Sequence, residues 1–382
     1  MILKRRRADD EDDISLFLGN LRTPPQPDGP MEELDELGRI VPRANPAVVR
    51  KERMSARATR RLRRKAVSQK QDEEGFSTDS SLSPSDGADY ATAINRILTS
   101  AQNILSDVRS KEFKDARLGL GKRFGDWRRK YEDIYIGAWG GLGLVGAWDF
   151  WVRLEIVGWN PIEDTNTGLD RFKWYSSLYE YSRPRAEGDE NDPELGPDGD
   201  LVSAMISTVI VPRLCKIVEG GFNAYSSKSL RKVISIAEQV EASVEKDSQK
   251  FQVCFTLIIA GVYSSQFIDD GGGMQMFLRS VYTVFANEVE NVQSSLTPYL
   301  ALNKPPFDPE SIPARQRFLA RRLKLVQNII CWRKYTSERF GIGELASKLV
   351  DRCIVPVAEG GWEVGGKSCV QKVNILLPVW CL

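Results

Sequence analysis

"ADYATAINRILTSAQNILSDVRS", residues 88–110, is where the chain changes character. Tyr90, Ile94, Ile97, Ala101, Ile104, Leu105 and Val108 share one helical face, with polar residues opposite. The period returns downstream. Phe124, Trp127, Tyr131, Ile134 and Tyr135 predict a second helix. Further stripes run through Leu230, Val233, Ile234, Ala237, Val240 and Val244, then from Met274 through Phe277, Leu278, Val281, Phe285, Val289 and Val292 to Leu296. Another joins Phe318, Leu319, Leu323, Val326, Ile329 and Ile330. No stretch alternates apolar and polar residues for long, as a half-buried strand would. The expectation is an all-α body over residues 89–382, broken by an acidic loop at 183–200 and a proline-rich turn, "NKPPFDPESIP", at 303–313.

Within that body a pattern recurs. "IVPRLCKIVEGGFNAYSSKSLRKV" begins at Ile210 and "IVPVAEGGWEVGGKSCVQKV" at Ile354. The second copy is four residues shorter between its proline and its Glu-Gly-Gly. Four residues is about one helical turn, so the helix keeps its facing. Each copy reads as helix, Gly-rich turn, helix. Such units bury their apolar faces by stacking, which predicts a HEAT-like helical array.

Residues 1–88 read as a long disordered, charged N-terminal tail, because charge blocks and Ser, Pro and Gly clusters leave too little apolar surface to offset ordering. Two islands stand out, "DDISLFLG" (12–19) and "MEELDELGRIVPRA" (31–44). They read either as short linear docking motifs, with Ile14, Leu16, Phe17, Leu18 and Leu37 as contact residues, or as fragments of a poorly packed tail. Between them and the body lies "RKERMSARATRRLRRK" (50–65), with nine basic residues and one acidic. Arg53, Arg57, Arg60, Arg61 and Arg64 fall on one helical side, as in a basic region that reads a DNA groove. The acidic, Ser-rich "SQKQDEEGFSTDSSLSPSD" follows in place of dimerising heptads, which argues against base readout. Three uses stay open: sequence-independent RNA or DNA phosphate contact or nuclear import through Arg60, Arg61, Arg63, Arg64 and Lys65, or docking on an acidic protein face. Ser77, Thr78 and Ser83 are candidate phosphorylation sites that would extend the neighbouring acidic block.

The 382 residues contain no histidine, which removes every Ser-His-Asp and Cys-His arrangement and every imidazole zinc site. The six cysteines stand singly, with no CxxC pair, and are expected in the core of a protein from a reducing compartment. The two longest apolar-leaning runs, 136–148 and 253–263, fall short of the roughly 18–20 residues a bilayer span needs. "MILKRRRADDEDD" lacks the apolar segment of a secretory signal, so an intracellular protein without a membrane role is expected. Basic and acidic residues number 53 and 52, so partners must be argued segment by segment.

Gly141, Gly143 and Gly146 match the dinucleotide pattern GxGxxG letter for letter, but an aromatic helix precedes them where a strand is required. A turn that lets Trp139, Trp148 and Trp151 pack closely is the better reading. "GGKS" (365–368) lacks the upstream glycine of a phosphate loop, and Asp269-Asp270 has no second carboxylate cluster at a defined spacing. No catalytic residue, metal site, cofactor or small-molecule substrate is therefore expected.

"FGDWRRKYEDIYIGAWGGLGLVGAWDFWVRLEIVGWNPIED" (124–164) resembles the signature of the GC-rich sequence DNA-binding factor C-terminal domain family. The matching residues are Trp127, Tyr131, Tyr135, Arg153, Trp159, Asn160 and Pro161. "DDISLFLG", "DELGRI", "RRLRR" and "EGFSTDSS" resemble the tail of that family in the same order, so the likeness covers nearly the whole chain. The resemblance implies a non-enzymatic nuclear scaffold of the spliceosome, working in intron-lariat spliceosome turnover beside a G-patch protein and a DEAH-box helicase. A transcriptional adaptor linking a DNA-bound factor to chromatin modifiers is the alternative, and a direct DNA-binding regulator a third. The glycines of 140–146 depart from the leucine-rich helix usual in relatives. No G-patch occurs, so direct helicase activation is not implied.

Overall fold

The computed structural model describes residues 2–17, 32–34, 40–42, 52, 55–59, 84–163, 168–183, 198–244, 272–300, 311–360, 366–367 and 370–371. These are helical almost throughout, and the expected all-α class holds. One exception lies in the second tail island, where Glu32–Leu34 and Ile40–Pro42 form an antiparallel pair with Glu33 opposite Val41. Residues 12–17 of the first island lie in a helix, Ile2–Phe17.

The chain divides into two compact units. One comprises Gly87–Phe285 and Lys334–Phe340. At its centre, helix Gly140–Glu155 packs against Leu201–Met205 through Leu144, Val145, Trp148 and Val152, all buried. Around them lie Trp174, Leu178, Leu214, Val218, Val233, Ala237 and Val240, at the positions a helical period puts on one face. The opening stretch behaves differently. Pro84–Asn103 is a helix as predicted, yet none of its residues is buried, and Tyr90, Ile97 and Leu98 are among its exposed apolar chains. It touches the body where Tyr90 Oη donates to Glu163 Oε2 at 2.9 Å and where Leu98 lies over Gly158, whose added Cβ would meet Leu98 Cδ2 at 2.3 Å.

The second unit comprises Met1–Asp86, Ala286–Arg333 and Gly341–Leu382. Its core is built from Val289, Val292 and Leu296, from Phe318, Leu325, Val326 and Ile329, and from Ile342, Leu349, Ile354 and Val357. Ile14 and Phe17 of the N-terminal helix belong to it, at 1% and 2% exposure.

The start of the sequence repeat has a structural counterpart, one in each unit, while most of the turn and second helix of the later copy (361–373) lies outside the described residues. In the first, Leu201–Met205 passes through a π turn, Ile206–Ile210, into Val211–Gly221; in the second, Ile342–Leu349 passes through Val350–Ile354 into Val355–Glu359. The cause is the proline. Pro212 and Pro356 sit in the first turn after the bulge, and a proline ring excludes the carbonyl four residues back while offering no N–H. Widening the preceding turn by one residue lets Val211 N–H reach Ile206 O and Val355 N–H reach Val350 O, so the helix continues. Because the first copy does not break, Leu201–Gly221 is long and apolar enough to cross a bilayer, a length that the run-by-run sequence reading missed. Most of it is buried inside the unit, the behaviour of a core helix.

Cys215 and Cys353 are buried in these repeat helices, whereas Cys331 is exposed, against the expectation that it lies in the core. Burial pushes the Cys215 thiol up to about 12, helped by Glu219, and the Cys353 thiol up to about 11. A maleimide followed residue by residue in a mass spectrometer should modify Cys331 in the folded protein and spare both buried thiols until denaturant is added. Early labelling of Cys215 would contradict its placement.

Candidate functional site

The signature residues separate into a buried frame and an exposed face. Periodicity predicts one helix through Phe124 and Tyr135, but the chain breaks at Tyr131 (φ −142°, ψ 58°) into Lys122–Lys130 and Glu132–Gly137. The break turns Tyr135 fully inward. Its hydroxyl donates to Asp198 Oδ2 at 3.1 Å and lies 3.1 Å from Tyr181 Oη, while Arg128 donates to the same Asp198 oxygen at 3.1 Å and to the Tyr181 carbonyl at 3.1 Å. The Arg128 guanidinium stacks 4.2 Å from the Tyr181 ring centre, and Trp127 meets Tyr135 edge-on at 5.0 Å. Burial, then Tyr181 and Asp198, drive the Tyr135 phenol far above its ordinary range, so it stays a neutral donor.

The second signature group forms a joint. Trp159, 6% exposed, packs on Phe172 at 5.4 Å, and Pro161 is buried. Asn160 Oδ1 accepts from Ile162 N–H at 3.2 Å, an Asx turn. Lys232 closes it by donating to the carbonyls of Ile162 (2.8 Å) and Glu163 (2.6 Å). Arg153 instead lies outside, paired with Asp149 at 2.5 Å one turn back, an exposed contact worth about 0.3–0.5 kcal/mol.

With Tyr135 held inside, its neighbours point out. Tyr131 (58%), Ile134 (64%), Ile136 and Trp139 (56%) are exposed within nine residues. Trp139 also adopts a left-handed backbone (φ 56°, ψ 45°), costly for a tryptophan and held by the helices on either side. The expected close packing of Trp139 is therefore not found, although Trp148 is buried and Trp151 Nε1 donates to Phe113 O at 2.9 Å. Gly141, Gly143 and Gly146 lie inside helix Gly140–Glu155; the turn that precedes it is at Ala138 and Trp139. Four large apolar chains thus stand exposed on a fixed frame.

In the other unit, charged residues that composition assigns to solvent are buried. Asp13, wholly inaccessible, takes Arg317 at 2.6 Å, Arg321 at 2.7 Å and Arg57 at 2.9 Å. Asp10 pairs with Arg321 and Arg322. Arg57 also reaches Asp9, so one arginine of the basic run binds the chain's own acidic helix. Burial alone would raise both carboxyls, but hydrogen bonding from Arg317 and the charges of Arg321 and Arg57 hold Asp13 below its ordinary value. Arg321 and Arg322 do the same for Asp10. Phe17 meets Phe318 at 5.4 Å, and Arg315 donates to the Phe17 carbonyl at 3.3 Å.

The candidate contacts Ile14 and Phe17 are thus packed in cis, with Leu16 half-buried beside them. Leu18, Leu37, Arg60, Arg61, Arg63, Arg64, Lys65, Ser77, Thr78 and Ser83 lie outside the described residues. Sequence reasoning missed Asp198 and Asp200, which it placed in an acidic loop. The first anchors Tyr135, and the second caps helix Leu201–Met205 at 3.0 Å from Val202 N. It also missed Arg322, 1% exposed between apolar Phe318, Leu319 and Val326, where a charge within a stripe was the available signal. Among the described residues no three metal-ligating side chains gather.

No protein-family model matches the chain. It is 25% identical over 337 residues to the mouse Intron Large complex component GCFC2, covering 86% of this chain and 40% of that one. It is 23% identical over 390 residues to human PAX3- and PAX7-binding protein 1, covering 98% and 38%. A 138-residue segment is 27% identical to the Transcriptional repressor ILP1 of Arabidopsis thaliana, covering 36% and 15%. The chain spans less than half the length of these curated relatives. The chain is thus a homologue of the proteins named Intron Large complex component GCFC2 and PAX3- and PAX7-binding protein 1, in keeping with the GC-rich sequence DNA-binding factor signature whose Trp127 and Tyr135 frame its exposed face.

Proposed function

We propose that the chain is a non-enzymatic nuclear scaffold of pre-mRNA splicing, acting in intron-lariat spliceosome turnover beside a G-patch protein and a DEAH-box helicase. The observation that supports it most is the likeness, over 86% of the chain, to a protein named as an Intron Large complex component. The physical chemistry agrees with a contact role. Tyr131, Ile134, Ile136 and Trp139 expose apolar area on a frame tied down by Tyr135 and Asp198, which suits a partner's groove.

Affinity purification followed by mass spectrometry tests this. The tagged chain is expected to recover spliceosomal proteins, and Ile134→Asp with Trp139→Ala is expected to reduce their yield at least tenfold. Exposed substitutions change stability by only about 0.5 kcal/mol, so the unfolding transition should stay put. Chromatin modifiers recovered without any splicing protein would overturn the splicing role in favour of a transcriptional adaptor. That second reading is favoured by relatives named as a PAX3- and PAX7-binding protein and a transcriptional repressor. Direct DNA regulation through residues 50–65 predicts a sequence preference that survives rising salt, whereas phosphate contact alone fades steeply and uniformly.

A further inference from the structure

The lock between Ile2–Phe17 and Ser311–Thr336 has two parts in a fixed order. Asp9, Asp10 and Asp13 lead, then Ile14 and Phe17 follow on the next turns. Facing them, Arg317, Arg321 and Arg322 repeat at matching helical steps, Phe318 supplies the apolar floor, and Arg315 takes the carbonyl of Phe17. Arg322 also lies over the Phe318 ring at 4.5 Å, which ties the ionic part to the apolar one. We propose that this face of Ser311–Thr336 is a receptor for acidic helical segments that end in an aliphatic and an aromatic residue. In this chain its own N-terminal helix fills it, and a like segment of a partner protein takes the place when that helix leaves.

Three observations carry the assignment. The occupant is on view, with its carboxylates and its Phe17 both seated, so the chemistry that fits is known. A nucleic-acid backbone would satisfy the arginines yet leave the Phe17 seat unfilled, which favours a peptide. Finally, Asp13 lies 304 residues from Arg317, so the contact is a tethered encounter that a partner can outcompete once its concentration exceeds the effective one.

The test uses the full chain and a fluorescent peptide with the sequence of residues 8–19, "ADDEDDISLFLG". Asp10→Asn with Asp13→Asn, made in the chain, loosens the cis helix while keeping side-chain shape. The peptide is expected to bind this variant at least tenfold more tightly than the wild type by fluorescence anisotropy. Peptides carrying Asp13→Asn or Phe17→Ala should each lose at least tenfold, and since those changes are in the peptide, folding of the chain does not enter. Equal binding of the Phe17→Ala peptide, or its displacement by a polyuridine oligomer at matched charge, would make the face a phosphate site and overturn the proposal. So would a variant that unfolds like the wild type but binds no peptide. If the double variant does not fold, the wild type decides. Millimolar peptide must speed amide exchange in residues 2–17, and unchanged exchange rejects the receptor.

Discussion

Asp13→Ala is expected to free the N-terminal helix, raising amide exchange across residues 2–17 by a hundredfold or more, read by hydrogen–deuterium exchange. Asp13 is inaccessible, and Arg57, Arg317 and Arg321 around it are 7–11% exposed, so its removal leaves three nearly buried cations without their shared counter-charge. Breaking such a buried pair costs about 3–5 kcal/mol, and about 1.4 kcal/mol is tenfold in an equilibrium. The helix can leave, which returns the arginines to water, so the loss appears as local opening and the rest of the core holds. Arg153→Ala, which breaks the exposed pair with Asp149, should change exchange little. Acid gives the same release with a defined sign. Asp10 and Asp13 titrate below their ordinary 3.8 when docked, so the stability they add is complete above that value and drains as pH falls through the lowered ones. Docking should therefore be flat from pH 5 to 8 and fail only below about pH 4. Release near pH 6 would contradict the ionic account.

Apolar spacing is written into the chain wherever a helix face is covered, which is why the stripes through Leu230 and Val240 and through Phe318 and Ile329 lie in the core as read. The same spacing in Pro84–Asn103 predicts a face but not its cover, and that face is open. The break at Tyr131 left no mark in the sequence, neither glycine nor proline, because what turns Tyr135 inward is Asp198, 63 residues away. Charge runs are read as solvated by default, and burial of Asp13 rests on Arg57, 44 residues away, and on Arg317 and Arg321, 304 and 308 residues away. Of the exposed face only Tyr131 was legible as signature; Ile134 was read into a helical stripe and Trp139 into close packing, and which signature residues are frame and which lie outside required the fold. Pro212 and Pro356 were legible as a repeat, and the π turn before each follows from proline's missing N–H.

Within helix Gly140–Glu155, alanine at two glycines is expected to act with opposite signs. A Cβ on Gly140 would lie 2.2 Å from Tyr135 Cε2 and 2.4 Å from Cδ2. The ring cannot step aside, since its hydroxyl is bound to Asp198, Trp127 closes one edge and no part of it reaches solvent. Gly140→Ala should therefore cost about 2–3 kcal/mol through overpacking and displacement of Tyr135. Gly146 is exposed, and an added Cβ meets nothing within 4 Å. There Gly→Ala removes backbone freedom from the unfolded chain at no steric cost, for a gain of about 0.5–1 kcal/mol. Gly143, whose nearest contact would be Phe124 at 3.7 Å, should behave like Gly146. Denaturant titration followed by tryptophan fluorescence measures all three, and the order is diagnostic. A dinucleotide loop needs the glycines of GxGxxG, Gly141, Gly143 and Gly146, for close backbone approach, and would be indifferent to Gly140. A frame for an exposed contact face needs Gly140, which stands outside that motif, because there the backbone must pass under the ring that orients Ile134 and Trp139. Loss of stability at Gly146 with none at Gly140 would refute that frame.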